Sequence, residues 1–257
     1  SKIPVAQLID KKYGAAWRET IAADHASASN ELKRPAIFSE LEQYAAAHPQ
    51  PLANHESPHT THYSVVDAEG NAVAVTTTIN DWFGSRVTAD GLGFLLNDEM
   101  DDFSAKPGVP NSDGLIQGAA NAIGPGKRPL SSMTPTIVVR DGKTFLVLGS
   151  PGSSKIITTV ANVLMGVVVY GMNIQEAVNA PRFHNQWLPD VLNVERWFSP
   201  DTVEALEKMG YHVQFGLGQG SDAGSYWSDA ECIAIDAKTG ERLGASDYRN
   251  NGKAVGY

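Results

Sequence analysis

The 257-residue sequence predicts an α+β protein in which antiparallel sheets are sandwiched by helices. Three observations carry that expectation. Strand patterns come in pairs joined by glycine-bearing turns, an apolar helix follows where it would cover such a pair, and only two or three long helices accompany the many strands. A doubly wound parallel sheet would instead alternate single strands with helices.

The elements follow in chain order. Apolar spacing predicts helices at about residues 13–23 and 37–47, and Pro49, Pro51 and Pro58 then read as an extended linker. Residues 62–67 and 71–79 flank a Glu69-Gly70 turn, which is a hairpin signature. Residues 136–139 and 144–148 form a second pair around Asp141-Gly142, a dipeptide that supplies the positive φ of a tight turn. The helix at about 154–169 is apolar nearly all round and stops at Gly171, so it is expected to be buried. Ser199 and Pro200 then fit an N-cap and first helical residue, with Val203, Leu206 and Met209 as the apolar stripe and Gly210 as the stop. A strand at 211–215 and a last hairpin, residues 231–235 with the turn 236–240, complete the chain. No internal repeat is visible.

Bulk properties narrow the function. With 42% hydrophobic and 19% charged residues the chain can bury a sizeable core, and a net charge of −9 offers no basic field for nucleic acid. The longest apolar run, residues 163–170, is too short to span a bilayer, and Ser1-Lys2-Ile3-Pro4 does not read as a signal peptide, so no membrane association is expected. The single cysteine, Cys232, excludes an internal disulfide and a cysteine-based metal site.

Four segments are chemically specific in combination: Thr60-Thr61-His62-Tyr63-Ser64-Val65-Val66-Asp67, Asn97-Asp98-Glu99-Met100-Asp101-Asp102-Phe103, Pro129-Leu130-Ser131-Ser132-Met133 and Gly149-Ser150-Pro151-Gly152. With Asn179-Ala180-Pro181-Arg182-Phe183-His184 and Gly244-Ala245-Ser246-Asp247, they make the chain from Thr60 onward resemble the gamma-glutamyltransferase family. The resemblance implies a four-layer α-β-β-α sandwich of the N-terminal-nucleophile hydrolase type. It implies a precursor that cuts itself between His59 and Thr60, with residues 1–59 as the tail of a large subunit and residues 60–257 as the catalytic small subunit. The implied partners are that large subunit and a small γ-glutamyl substrate; no cofactor and no metal are expected, and the implied location is periplasmic or secreted.

A threonine hydroxyl attacks a carbonyl only when a base takes its proton. A free α-amine, of pKa about 7.7–8.0, suits that task near neutral pH. Cutting before Thr60 would create nucleophile and base in one event. Strand alternation puts Thr76, Thr78 and Asn80 on one face, and the resemblance implies that Thr78 orients the nucleophile and Asn80 contacts the α end of the glutamyl group. That end carries an ammonium and a carboxylate. The resemblance assigns Glu99 and Asp102 to the ammonium and Ser131 and Ser132 to the carboxylate. Backbone N–H groups before a helix can hold an oxyanion, which nominates Gly152 and Ser153. Many relatives have two adjacent glycines there, so Ser153 must reach its conformation with a Cβ present. Residues 107–118 resemble a lid in which Asp113 replaces a gating tyrosine, so a weaker closure is expected. In the family an arginine of the large subunit also grips the glutamyl carboxylate, and residues 1–59 are too few to supply that domain.

Rival readings are weaker. His55-Glu56-Ser57-Pro58-His59 fits a zinc-hydrolase pattern, but Pro58 opposes the helix it needs. The stretch from Gly149 to Lys155 lacks the glycine before its lysine and the hydroxyl residue after it that a phosphate loop requires. Ser1 leads into Lys2-Ile3-Pro4 rather than a buried strand. A glutaryl-cephalosporin acylase of the same family and an uncut, inactive precursor fragment remain as alternatives, the first disfavoured by Glu99 and Asp102.

Overall fold

A computed structural model describes residues 4–38, 60–109, 117–187, 189–216 and 227–256. All but the first two residues of the expected helix at 37–47, the bond after His59, the zinc-like histidines and Asp113 fall outside those residues. Two short helices come first, α1 (Val5–Leu8) and α2 (Lys11–Glu19), the second capped by the Asp10 side chain, which accepts from Lys12 N at 2.8 Å.

The first hairpin joins β1 (Thr60–Val66) to β2 (Ala72–Thr78) with Thr60 opposite Thr78. Its turn is set by Gly70 at φ +86° and by the Asp67 carboxylate, which accepts from Asn71 N and Nδ2. In the second, β3 (Thr136–Arg140) meets β4 (Lys143–Leu148) through Asp141 at φ 52° and Gly142 at φ 75°, the paired positive angles of a two-residue type I′ turn. Strands β8 (Cys232–Ile235) and β9 (Arg242–Ala245) extend this sheet in the order β3-β4-β8-β9.

Helices α3 (Lys155–Val168) and α4 (Ile174–Asn179) cover one face of the four-stranded sheet. Leu146, Leu148, Val160, Val163, Ile174, Val178, Cys232 and Ala245 form the core between them. α4 opens on a complete capping box between Asn173 and Glu176. The β1–β2 hairpin packs on the opposite face, turning Thr60, His62 and Ser64 inward; Ser64 Oγ donates to Glu231 O at 2.9 Å. Its outer face leaves Tyr63, Val65 and Val73 about half exposed. The described residues thus supply three layers in the order helices, sheet, sheet.

Two expectations need correction. α3 is not buried all round: Ile157, Met165 and Val168 are about half exposed, because its partners among the described residues, the four-stranded sheet, α4 and residues 183–184, cover only part of its surface. The sheets are also not wholly antiparallel. β5 (Phe183–His184), β6 (Leu192–Val194) and β7 (Val213–Phe215) form a small mixed sheet in which β6 and β7 run parallel. The connection from β6 to β7 passes through α5 (Pro200–Lys208), and such a crossover permits parallel pairing. α5 has Pro200 at its start as expected, but the Ser199 side chain makes no cap hydrogen bond.

Candidate active site

Thr60 heads the inner hairpin, and its cross-strand partner Thr78 lies on the same face. The chain leaves β2 through Asn80 at φ 70°, whose N–H donates to Thr78 Oγ1 at 2.9 Å. The acidic loop is tied to the same point: Asp98 N donates to Ile79 O and Asp81 N to Asp98 Oδ1. One 3₁₀ turn, Glu99–Asp102, then brings Asp102 alongside.

Burial, followed by the hydrogen bond and charge of Glu99 and the charges of Asp101 and Asp98, pushes the Asp102 carboxyl up to about 7. A group so poised gains most from a cation that replaces its proton. Asn121 braces this loop against the serine pair, donating through Nδ2 to Asp102 O at 2.6 Å and accepting from Leu130 N at 2.9 Å. Ser131 Oγ in turn accepts from Met133 N at 3.2 Å.

One small cavity is lined by Thr60, Thr78, Asn80, Asp102, Ser131, Ser132 and Ser153, with Leu130, Met133 and Ile156 as its apolar wall. Glu99 and Gly152 do not line it: Glu99 stands behind Asp102, and Gly152 precedes Ser153 in a buried loop. Gly152 has φ 129°, a value reserved for glycine, and Ser153 adopts the left-handed φ of 50° at a cost of about 1 kcal/mol. Their carbonyls accept from Lys155 N and Ile156 N as α3 begins. Among the described residues their own N–H groups donate to no acceptor.

Several participants carried no assigned role in the sequence. His62, two residues from Thr60 and on the same strand face, is buried with Nδ1 2.8 Å from Thr76 Oγ1 and Nε2 3.1 Å from Ser64 Oγ. Desolvation lowers it to about 4, so it is neutral at physiological pH. Its ring fills the space a Cβ at Gly149 would need, with Cε1 only 2.0 Å from that point. Period-two spacing from Thr60 was the available signal. Asn121 and Lys155 had none. Lys155, at the head of α3, is almost fully buried and burial lowers it to about 7. A larger cavity of about 970 Å³ runs along β1 past Thr60 to Asp229, Glu231 and Gly252. Burial raises Asp229 to about 6 and Glu231 to about 7.

The described residues form mixed helix and strand layers, with Thr60 heading an inner strand and Ser153, at the start of α3, lining the same cavity. The family model for gamma-glutamyltranspeptidase matches residues 1–257. The chain is 50% identical over 249 residues to the glutathione hydrolase proenzyme of Escherichia coli K12, covering 97% of this chain and 39% of that protein. It is 54% identical over 264 residues to the glutathione hydrolase proenzyme of Pseudomonas sp. A14, covering 100% of this chain and 42% of the relative. A crystal structure of the T380A mutant of Helicobacter pylori gamma-glutamyltranspeptidase superposes with a TM-score of 0.67 at 52% identity, over 74% of this chain and 100% of that one. This chain therefore belongs to the gamma-glutamyltranspeptidase family. It spans about two fifths of the length of the curated relatives it matches.

Proposed function

We propose that residues 60–257 are the catalytic small subunit of a γ-glutamyl-transferring precursor and residues 1–59 the end of its large subunit. A cut between His59 and Thr60 frees the α-amine, which takes the proton from the Thr60 hydroxyl. Thr60 Oγ attacks the γ-carbonyl carbon of glutathione or another γ-glutamyl amide. The amide C–N bond breaks, the amine leaves carrying the proton, and an ester remains on Thr60. Water or an amino acid then attacks the ester and restores the hydroxyl.

Asp102, backed by Glu99, holds the substrate ammonium, Ser131 and Ser132 hold its carboxylate, and Asn80 contacts the same end. Thr78 orients the Thr60 hydroxyl, and the N–H groups of Gly152 and Ser153 receive the oxyanion. The observation that carries this reading is the single cavity shared by Thr60, Asp102, Ser131, Ser132 and Ser153. The large subunit of the same precursor supplies the fourth layer of an α-β-β-α sandwich, outside the half-exposed Tyr63, Val65 and Val73. No helix of the described residues is long and apolar enough to cross a membrane, and the family setting is periplasmic or secreted.

The test is turnover by the complete precursor of glutathione against a glutaryl amide of equal leaving group, followed from the first milliseconds. A burst of leaving group and a strong preference for glutathione are expected. Equal turnover of both would remove Asp102 and Glu99 from substrate selection and favour an acylase.

A further inference from the structure

The Gly149–Gly152 loop is held from the far side by a segment the proposed chemistry does not use, Trp227 to Glu231. Glu231 N donates to Gly149 O at 3.1 Å and Asp229 N to Ser150 Oγ at 3.0 Å. Between them, Ser228 is fully buried at φ 69°, a left-handed angle uncommon for serine. Among the described residues its Oγ makes no hydrogen bond. A Cβ built on Gly152 would lie 2.0 Å from that Oγ and 2.9 Å from Ser228 Cβ, so the side chain occupies the space beside the Gly152 Cα.

Two sequence segments without an assigned role lock this serine from behind. Arg182 Nη1 donates to Trp227 O at 2.7 Å, and Asp247 Oδ2 accepts from Ala230 N at 2.9 Å. Arg182 and Asp247 are themselves a fully buried ion pair, joined by Arg249, which also bonds Glu195 at 2.6 Å. The N–H groups of Asp229, Ala230 and Glu231 and the carbonyl of Trp227 are thus anchored either to the loop or to this buried network, while Glu231 O accepts from Ser64 Oγ on β1. A hydroxyl kept unsatisfied at a strained angle is retained for where it sits.

We infer that Ser228 is a positioning residue for acyl transfer, a steric stop that keeps Gly152 at its glycine-only angle and thereby aims the Gly152 and Ser153 N–H groups. The inference rests on the oxyanion role proposed for those two groups. Ser228 reaches the reaction only through Gly152.

The test uses the complete precursor with Ser228→Ala, which keeps Cβ and deletes Oγ, and Ser228→Gly, which deletes both and accommodates φ 69° without strain. Misaiming a donor costs less than deleting one, so kcat for a γ-glutamyl anilide is expected to fall about tenfold in Ser228→Gly and less in Ser228→Ala. Donor KM and melting temperature should hold, because Asp102, Ser131 and Ser132 are untouched. Slower cleavage before Thr60 in Ser228→Gly counts on the same side, since that cut also passes through an oxyanion. Unchanged kcat in Ser228→Gly, or kcat falling only in step with melting temperature, overturns the inference. Absence of turnover by the unsubstituted precursor overturns the proposed function itself.

Discussion

Asp102 makes donor binding depend on pH in a way that can be worked out. Its carboxyl is raised from 3.8 to about 7, chiefly by burial and then by Glu99. Ionising it in the fold therefore carries a cost that the unfolded chain does not bear. Below about pH 4 the folded and unfolded chains both hold the proton, and the cost is absent. Between about 4 and about 7 the unfolded chain releases a proton that the fold retains, so stability falls as pH rises. Above about 7 the ionised carboxylate carries its full cost, which a bound ammonium relieves.

Donor affinity should therefore move opposite to stability. At pH 6 roughly one tenth of the Asp102 groups are ionised, so donor KM should be about tenfold higher at pH 6 than at pH 8. The Thr60 amine titrates over an overlapping range but acts on kcat, which separates the two. The assay is initial rates with a γ-glutamyl anilide on the complete precursor from pH 5.5 to 8.5, with melting curves at each pH, for the parent and Asp102→Asn. In Asp102→Asn KM should be high and flat. A parent KM that is also flat, or an identical slope in Asp102→Asn, would refute the reasoning.

Three further outcomes are expected. Thr60→Ala should leave the precursor at full length by intact mass, whereas the parent yields a fragment beginning at Thr60; a cut in the variant would remove self-processing. Ser131→Ala and Ser132→Ala should each weaken donor binding by about 1–3 kcal/mol, raising KM roughly 5- to 160-fold with little change in kcat; an effect on kcat alone would take these serines off the carboxylate. Arg182→Ala leaves Asp247 with Arg249 as its one remaining buried cation among the described residues, so urea denaturation should register a loss of about 3–5 kcal/mol, and a loss under 1 kcal/mol would mean that Arg249 alone neutralises it.

The local code was readable wherever one residue type dictates geometry. Asp141-Gly142 and Gly70 mark two hairpins, and period-two alternation predicts one shared face for Thr76, Thr78 and Asn80. The assignments of Glu99, Asp102, Ser131 and Ser132 came from resemblance, because an acidic loop and a serine pair have no periodicity of their own. The β5–β7 sheet was half missed since strands of two and three residues are shorter than any pattern. The exposed side of α3 misled for a different reason: Ile157, Met165 and Val168 are apolar yet stay about half exposed among the described residues. Contacts such as Ser228 with Gly152, or Asn121 between Asp102 and Leu130, join residues whose pairing only the folded chain creates.

Cys232 lies at the centre of the core, and desolvation pushes its thiol up to about 12. As the sole sulfhydryl in 257 residues, it gives the polypeptide a built-in clock. Alkylating reagents react with thiolate, so a maleimide or iodoacetamide in the surrounding buffer has nothing to modify until the sheet parts from α3 and α4. The rate at which label accumulates therefore counts whole-core openings one at a time, with no engineered probe and no second cysteine within residues 1–257.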